Sequence, residues 1–587
     1  MLRNNSSLNT TNKGIYSRTK ILKNIVFVLL AIILVRLFFI QIVEHNHWVA
    51  KADEQHTLLE TIVAKRGEIY MMEGEEPVAV VLNQTTYQII IDPSVTKKDE
   101  IEPALENYAK DYIVVDFDEI YQTEGLRYSI VAKNVPREIA AKISELGISA
   151  VWFQKNNQRV YPEGEMASEL LGFVNADGVG QYGVEGSLNT LLSGKDGLLK
   201  TTSDINNVAL SIGNDNIKIP AEDGKNLVLS VDRGFERGVE ELTDAALDSS
   251  LATNASVLVM NPNNGEILAM ANLPNYDPAD YGNVTDASAY INYTTEVPYE
   301  PASICKSFAF SAAINEGVMS PTTTYFNEGY EIIDSETINN AVKYSFLYGN
   351  IDMQTALYWS LNTGSIYALK LLGGNTAEIN QQGREKLYDY YYNKFRLGRE
   401  TGIELIESEG FVWDPNADVY GLNAAYANMT FGQNLNLTMV QVASAFSAVV
   451  NGGVYYTPTI LKGTLENEKI VPQNTELDED KILSDETSSA MRGMLINNRS
   501  NKADRAGYDI GGKTGTAQTI IDGAYTMDEF IGSYIGFVGT EGELPKLVIM
   551  VKMWGEGQHI EGNKDPMSLF DSISNYAIDY FKIKPGA

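Results

Sequence analysis

The sequence predicts a multidomain α+β chain: an N-terminal transmembrane helix, a middle α+β region, and a C-terminal domain in which helices pack over an antiparallel sheet. Three observations carry this. Ile25 to Val35 is unbroken apolar sequence, and the run continues through Leu37 to Ile40, Gln41 and Val43, about the length a helix needs to span a bilayer. Asn263-Asn264-Gly265 separates two apolar segments, Ser256 to Met260 and Glu266 to Met270, and is a strong hairpin signal. Leu569 to Phe581 reads as an amphipathic helix that closes a domain begun with strands.

Ahead of the apolar run stand Arg3, Lys13, Arg18, Lys20 and Lys23 with no acidic residue. Residues 1–24 are therefore expected in the cytoplasm, 25–43 in the membrane and the bulk of the chain outside. The bulky Leu37-Phe38-Phe39-Ile40 offers no small-residue cleavage site, which favours a retained anchor over a signal peptide. Arg36 is expensive within this segment; it either snorkels to the interface or meets another membrane protein. Residues 44–220 read as the middle region, with strands such as Tyr87 to Ile91, turns at Glu73-Gly74 and Asp92-Pro93, and a helix-leaning inserted lobe at about 92–150. The boundary falls near 220, at Ala221-Glu222-Asp223-Gly224. Beyond it come a strand from Leu227 to Ser230, a helix capped by Asp232 with Phe235, Val239, Leu242 and Ala246 on one face, and later strands at Tyr534 to Val538 and Leu547 to Met553.

Composition removes several classes of function. A formal net charge of -32 repels phosphate backbones, so nucleic acid is not an expected partner. Cys305 stands alone, which excludes an intrachain disulfide and a cysteine metal site; it is expected as a core residue of its helix. The four histidines, His45, His47, His56 and His559, leave almost no material for a Ser-His-Asp triad or a histidine metal centre. The first three read as ordinary surface residues, and no metal or cofactor is expected.

The chemistry is expected at Ser303 and Lys306. Pro301 breaks what precedes it, and Ser303 to Asn315 is helix-forming, with Ile304, Phe308 and Ala312 four apart and Gly317 as the stop. Residues three apart share a helix face, so the hydroxyl and the amine come within hydrogen-bond reach. Serine needs a base free of its own proton, and lysine serves if burial or a nearby cation lowers its pKa. Backbone N–H groups at the helix start point at any oxyanion formed there. The S-x-x-K pattern also occurs at Ser17 to Lys20 and Ser94 to Lys97, and S-x-N at Ser7 to Asn9 and Ser187 to Asn189, so order is what counts. Downstream of Ser303 come Ser360-Leu361-Asn362 and then Lys513-Thr514-Gly515-Thr516, whose K-T-G is found once.

These three elements in this order are the signature of penicillin-binding proteins and class A β-lactamases. The chain resembles class B penicillin-binding proteins in particular, from about 25 to 582. Lys65 to Tyr70, Arg159-Val160-Tyr161-Pro162, Leu170 to Val174 and Tyr182 to Glu185 resemble their pedestal, although Met71-Met72-Glu73-Gly74 stands where an Asp-Arg-x-Gly pattern is usual. Thr401-Gly402-Ile403, Phe431-Gly432-Gln433 and Asn451-Gly452-Gly453 add to the match. Glu185 to Asn189 has the E-x-x-L-N shape of a β-lactamase deacylating element, but it precedes Ser303, so Glu185 is read as structural.

The resemblance implies an elongated α+β pedestal of the dimerisation type over 44–220 and a serine transpeptidase domain of the D,D-peptidase/β-lactamase-like type over 221–587, its antiparallel sheet flanked by helices and joined by a helical subdomain. It implies D,D-transpeptidase activity on peptidoglycan stem peptides through an acyl-enzyme on Ser303, with Lys306 as base. Lys513 would help keep Lys306 neutral and attract the substrate carboxylate, which Thr514 and Thr516 would hydrogen-bond. Ser360 would relay a proton, Asn362 would hold the substrate amide, and the N–H groups of Ser303 and Thr516 would form the oxyanion hole, with Gly515 between the two substrate-binding threonines. Ala302 stands where the family places glycine, and Asn434 replaces the last glycine of a G-Q-G loop; asparagine tolerates positive φ. Implied partners are stem peptides, β-lactam antibiotics and a polytopic SEDS-type glycan polymerase. The alternatives are a β-lactam-sensing receptor, a non-catalytic scaffold, a β-lactamase or a D,D-carboxypeptidase.

Overall fold

The computed structural model describes residues 11–48, 51, 57–202, 217–472, 479–521 and 524–586; Arg3 and His56 lie outside them. The chain forms two compact units, Met1–Ala64 with Gly194–Asp223, and Lys65–Ser193 with Gly224–Ala587.

In the first unit a helix runs from Thr11 to Phe38 and continues as a π-helical turn, Phe39–Val43. It starts well before the apolar run because no proline interrupts the basic tail and its lysines and arginines are good helix formers. Arg18–Val43 is the one described helix long and apolar enough to cross a membrane. The strands Thr57–Ile62, Gly197–Thr202 and Ile217–Ile219 form an antiparallel sheet, and Asp196 accepts the Ala64 N–H at 2.7 Å.

The second unit contains a seven-stranded sheet in the order Lys469–Pro472, Leu461–Glu466, Leu227–Asp232, Ile69–Glu73, Glu76–Ile91 and Ser129–Pro136, with Val151–Val160 also on Glu76–Ile91. Ile69–Glu73 lies parallel to Leu227–Asp232. The sequence boundary near 220 thus falls between strands that hydrogen-bond to each other in one sheet. Every residue of Leu227–Asp232 is buried, as a central strand covered on both faces requires. Outside this sheet, Ile89, Ile91, Ile101, Leu105, Phe117, Val131 and Ile143 give the inserted lobe a small core of its own. Close by, Glu185 is wholly buried, with Arg66 Nε 2.7 Å from Oε2 and Arg159 Nε 2.6 Å from Oε1.

The C-terminal part of this unit is built on a five-stranded antiparallel sheet in the order Ile267–Leu273, Asn254–Met260, Leu547–Trp554, Ala524–Thr540, Tyr508–Ile521. The helices Arg233–Asp248 and Asp565–Tyr580 cover one face through Phe235, Val239, Leu569, Phe570, Ile573 and Ala577. Asp232 caps the first by accepting the Phe235 N–H at 3.0 Å. On the other face lies a helical layer around Met439–Val450, whose residues are all buried. Tyr508–Ile521, which carries Lys513-Thr514-Gly515, is the edge strand. The layers therefore leave one sheet edge beside the helical layer, and the site lies there.

The helix expected from Ser303 begins as a tighter 3-10 turn, Ala302–Cys305, and becomes α-helical at Lys306–Asn315. Ala302 holds a left-handed φ of 48°, so the chain turns sharply into the helix rather than entering it straight.

Candidate active site

From Tyr299 to Ala313 every side chain is buried except that of Ser303. The apolar residues of this stretch anchor the helix, while the 3-10 turn raises one hydroxyl to the surface of the cleft. Lys306 is wholly buried, and its Nζ lies 2.8 Å from Ser303 Oγ, 2.7 Å from Ser360 O, 3.1 Å from Ser360 Oγ and 2.8 Å from Asn362 Oδ1. Two of these four oxygens belong to carbonyl groups and only accept. A neutral amine has two hydrogens and one lone pair, so it donates to the two carbonyls and turns its lone pair toward a serine hydroxyl.

Electrostatics favour that state. Burial, reinforced by the charge of Lys513, holds the Lys306 amine well below the usual lysine range. Among the described residues no carboxylate pairs with either lysine. Lys513 is 3% exposed, and burial brings it down to about 7; its Nζ lies 3.2 Å from both the carbonyl and the hydroxyl oxygen of Thr514. The strand alternates as period two demands: Lys513, Gly515 and Ala517 are buried, Thr514 is half-buried and Thr516 exposed.

Close approach explains Gly515. A Cβ there would sit 2.6 Å from the Pro301 carbonyl oxygen, so only glycine lets the edge strand lie against the turn that carries Ser303. Gly432, at φ 79°, is pressed in the same way onto the Ala302 carbonyl. The two departures from the glycine pattern both take left-handed backbone: Ala302, and Asn434 at φ 59°. Ser360 is also left-handed at φ 55° and leads into the helix Asn362–Leu372; such conformations cost of order 1–3 kcal/mol and gather at functional sites. Here the bend aims both the carbonyl and the hydroxyl of Ser360 at one amine. Asn362 Nδ2 donates to the Asn339 carbonyl at 2.9 Å, which fixes the amide.

The structure thus brings Ser303, Lys306, Ser360 and Asn362 into one hydrogen-bonded group with the Lys513–Thr516 strand beside it. Sequence reasoning passed over Glu300, which is 7% exposed and accepts from Asn434 N at 2.9 Å and Tyr525 Oη at 2.8 Å; the sequence separation from Tyr525 leaves no local signal. Phe431, named above only as part of a matching segment, has its ring centre 5.8 Å from Lys306 Nζ.

Comparison with known proteins gives two domain matches. The penicillin binding protein transpeptidase domain matches residues 255–574, and the penicillin-binding protein dimerisation domain matches 61–229. Stage V sporulation protein D of Bacillus subtilis is 30% identical over 430 residues, 71% of this chain and 63% of that protein. A probable peptidoglycan D,D-transpeptidase, PenA, of Neisseria meningitidis is 26% identical over 89% of this chain and 86% of its own length. Among solved structures, a peptidoglycan synthetase from Bifidobacterium adolescentis superposes with a TM-score of 0.69 at 21% identity, covering 90% of this chain and 98% of that one. Penicillin binding protein 2X from Streptococcus thermophilus gives 0.69 at 23% identity over 89% and 80%. With the transpeptidase match alone spanning more than half of its residues, the chain belongs to the penicillin-binding protein transpeptidases, and to their class B, which carry a dimerisation domain ahead of the catalytic one.

Proposed function

We propose that Ser303 carries the acyl group as this peptidoglycan D,D-transpeptidase cross-links stem peptides, and that Lys306 moves the protons. The carrying observation is the buried Lys306 amine, 2.8 Å from Ser303 Oγ with two carbonyl-type acceptors already occupying its N–H groups. Ser303 Oγ attacks the penultimate D-Ala carbonyl and its proton passes to Lys306. The oxyanion is held by the N–H groups of Ser303 and Thr516. As the C–N bond breaks, Lys306 returns the proton through Ser360 to the departing D-Ala amine. An amine of a neighbouring stem then attacks the ester, loses a proton to Lys306, and Ser303 leaves protonated. Asn362 holds the donor amide, and Thr514 and Thr516 hydrogen-bond the terminal carboxylate, which Lys513 attracts. The open edge of Tyr508–Ile521 suits an extended donor peptide laid alongside as a further strand.

The same serine is acylated by β-lactams. Residues 1–24 remain cytoplasmic, 25–43 span the membrane, 44–220 form the pedestal and 221–587 the transpeptidase domain outside; Arg18, Lys20 and Lys23 before the apolar run support that orientation. The exposed apolar face of the N-terminal helix suits a polytopic glycan polymerase of the SEDS type, tested by co-purification from detergent-solubilised membranes. The central test is intact-mass spectrometry after treatment with a fluorescent penicillin. A stable adduct on Ser303, absent from Ser303→Ala, fits the reading; rapid turnover of the adduct would make the chain a β-lactamase, and no adduct would leave a scaffold.

A further inference from the structure

We propose that Glu300 is a positioning residue: by accepting hydrogen bonds from Asn434 and Tyr525 at one oxygen, it sets how the edge strand Tyr508–Ile521 lies against Ser303. This rests on the acyl-enzyme reading above and extends it to the platform for the donor peptide.

Three segments converge on this carboxyl group. The first is its own, Glu300-Pro301-Ala302-Ser303, which leads directly into the nucleophile. The second is the loop Phe431 to Asn434, tied to Glu300 Oε1 by the Asn434 N–H at 2.9 Å and packed through Gly432 onto Ala302. The third is the hairpin of the edge strand. Tyr525 pairs with Ile520 across it, and its hydroxyl donates to the same Oε1 at 2.8 Å. Gly515 already abuts Pro301 near the middle of that strand, so the Tyr525 contact pins its far end and the two contacts together define its line.

A carboxyl or amide oxygen suits this place because its two lone pairs accept a backbone N–H and a phenol at once. An ion-pair role is not what the surroundings offer: the groups acting on Glu300 are hydrogen-bond donors, and burial raises its pKa. Its second oxygen, Oε2, is buried with no hydrogen-bond partner among the described residues. Leaving such an atom unpaired is costly, and the cost persists because the first oxygen joins three parts of the site.

The places of the contacts divide their effects. Ser303 and Lys306 keep their geometry when the Tyr525 hydroxyl is removed, whereas the distal part of the edge strand loses its tether. The loss therefore falls on binding of an extended ligand rather than on the acylation step. Removing Glu300 also frees the loop that packs on Ala302, so both quantities suffer.

Stopped-flow acylation of the full-length protein by a fluorescent penicillin separates the apparent dissociation constant from the limiting rate. Tyr525→Phe is expected to weaken binding about fivefold to tenfold, the worth of one hydrogen bond, with the limiting rate within about twofold and the melting temperature unchanged. Glu300→Ala is expected to lower acylation efficiency by about a hundredfold, two to three times the free-energy worth of one such bond. Glu300→Gln keeps the accepting oxygen and should restore most of that loss. Unaltered binding in Tyr525→Phe, or a Glu300→Gln variant as impaired as Glu300→Ala, overturns the inference. Should wild-type protein carry no label on Ser303, it is the acyl-enzyme reading that fails; a labelled wild type matched by Tyr525→Phe defeats this inference alone. If Glu300→Ala does not fold, the Tyr525→Phe and Glu300→Gln pair still decides it.

Discussion

The pedestal and the catalytic cleft both bury charge, and they treat it in opposite ways. In the pedestal Glu185 is enclosed between Arg66 and Arg159, with both carboxylate oxygens bonded. In the cleft Lys306 and Lys513 are buried to the same degree, and the partners of their amines are carbonyl and hydroxyl oxygens. A compensated buried charge stays charged and holds segments together. An uncompensated one sheds its proton, and a lysine that has done so is a base. Between these two sites the difference is therefore the opposite charge beside Glu185, absent beside the two lysines, rather than the depth of burial.

The comparison breaks first at the serine proposed as nucleophile. Ser303→Ala should abolish covalent labelling by penicillin while leaving the melting temperature near wild type, read by intact-mass spectrometry and calorimetry. Lys306→Met should lower the acylation rate by about 10²–10⁴-fold, the usual worth of a positioned base, with Ser303 still present to show residual labelling in a long incubation. Moving to the pedestal, Glu185→Ala leaves Arg66 and Arg159 buried without an opposite charge, their remaining side-chain partners being Asn189 and Asn83. It should cost roughly 3–5 kcal/mol of stability in denaturant titration, with acylation per folded molecule unchanged. Equal losses of acylation from Glu185→Ala and Lys306→Met would erase the distinction.

The smallest effect is a pH dependence. Lys513 has a folded pKa of about 7 against an ordinary 10.5, so between these values the unfolded chain binds more protons than the folded one. Its contribution to stability is fully present above about 10.5, falls as pH drops and is gone below about 7. Lys513→Met should flatten the wild-type slope in that window, as measured by urea unfolding at a series of pH values. Removal of Lys513 also takes away the charge that helps depress Lys306, so the pH at which acylation begins should move upward.

Much of this arrangement was legible because it is local. The apolar run ending at Val43, the turn at Asn263-Asn264-Gly265 and the Asp232 cap each signal within a few residues, and a spacing of three was enough to bring Ser303 and Lys306 together on one helical face. What could not be read depends on distant segments. The 3-10 turn at Ala302–Cys305 follows from the left-handed Ala302, a conformation that alanine disfavours and that packing of Gly432 on its carbonyl accompanies. The parallel pairing of Ile69–Glu73 with Leu227–Asp232 joins strands far apart in the chain, one on each side of the turn at Ala221 to Gly224. Glu300 stands three residues before Ser303, but its partners, Asn434 and Tyr525, come from two other segments. Hydrogen bonds between such distant residues leave no periodic trace in a single sequence.

Everything proposed for the cleft depends on Lys306 being an uncharged amine before substrate arrives. Titration of the lysine side chains by carbon-13 NMR in protein labelled at the ε carbon, with Lys306→Met supplying the assignment, measures this directly. A Lys306 signal that titrates well below 10.5 is the predicted result; one that titrates at or above that value would contradict the account.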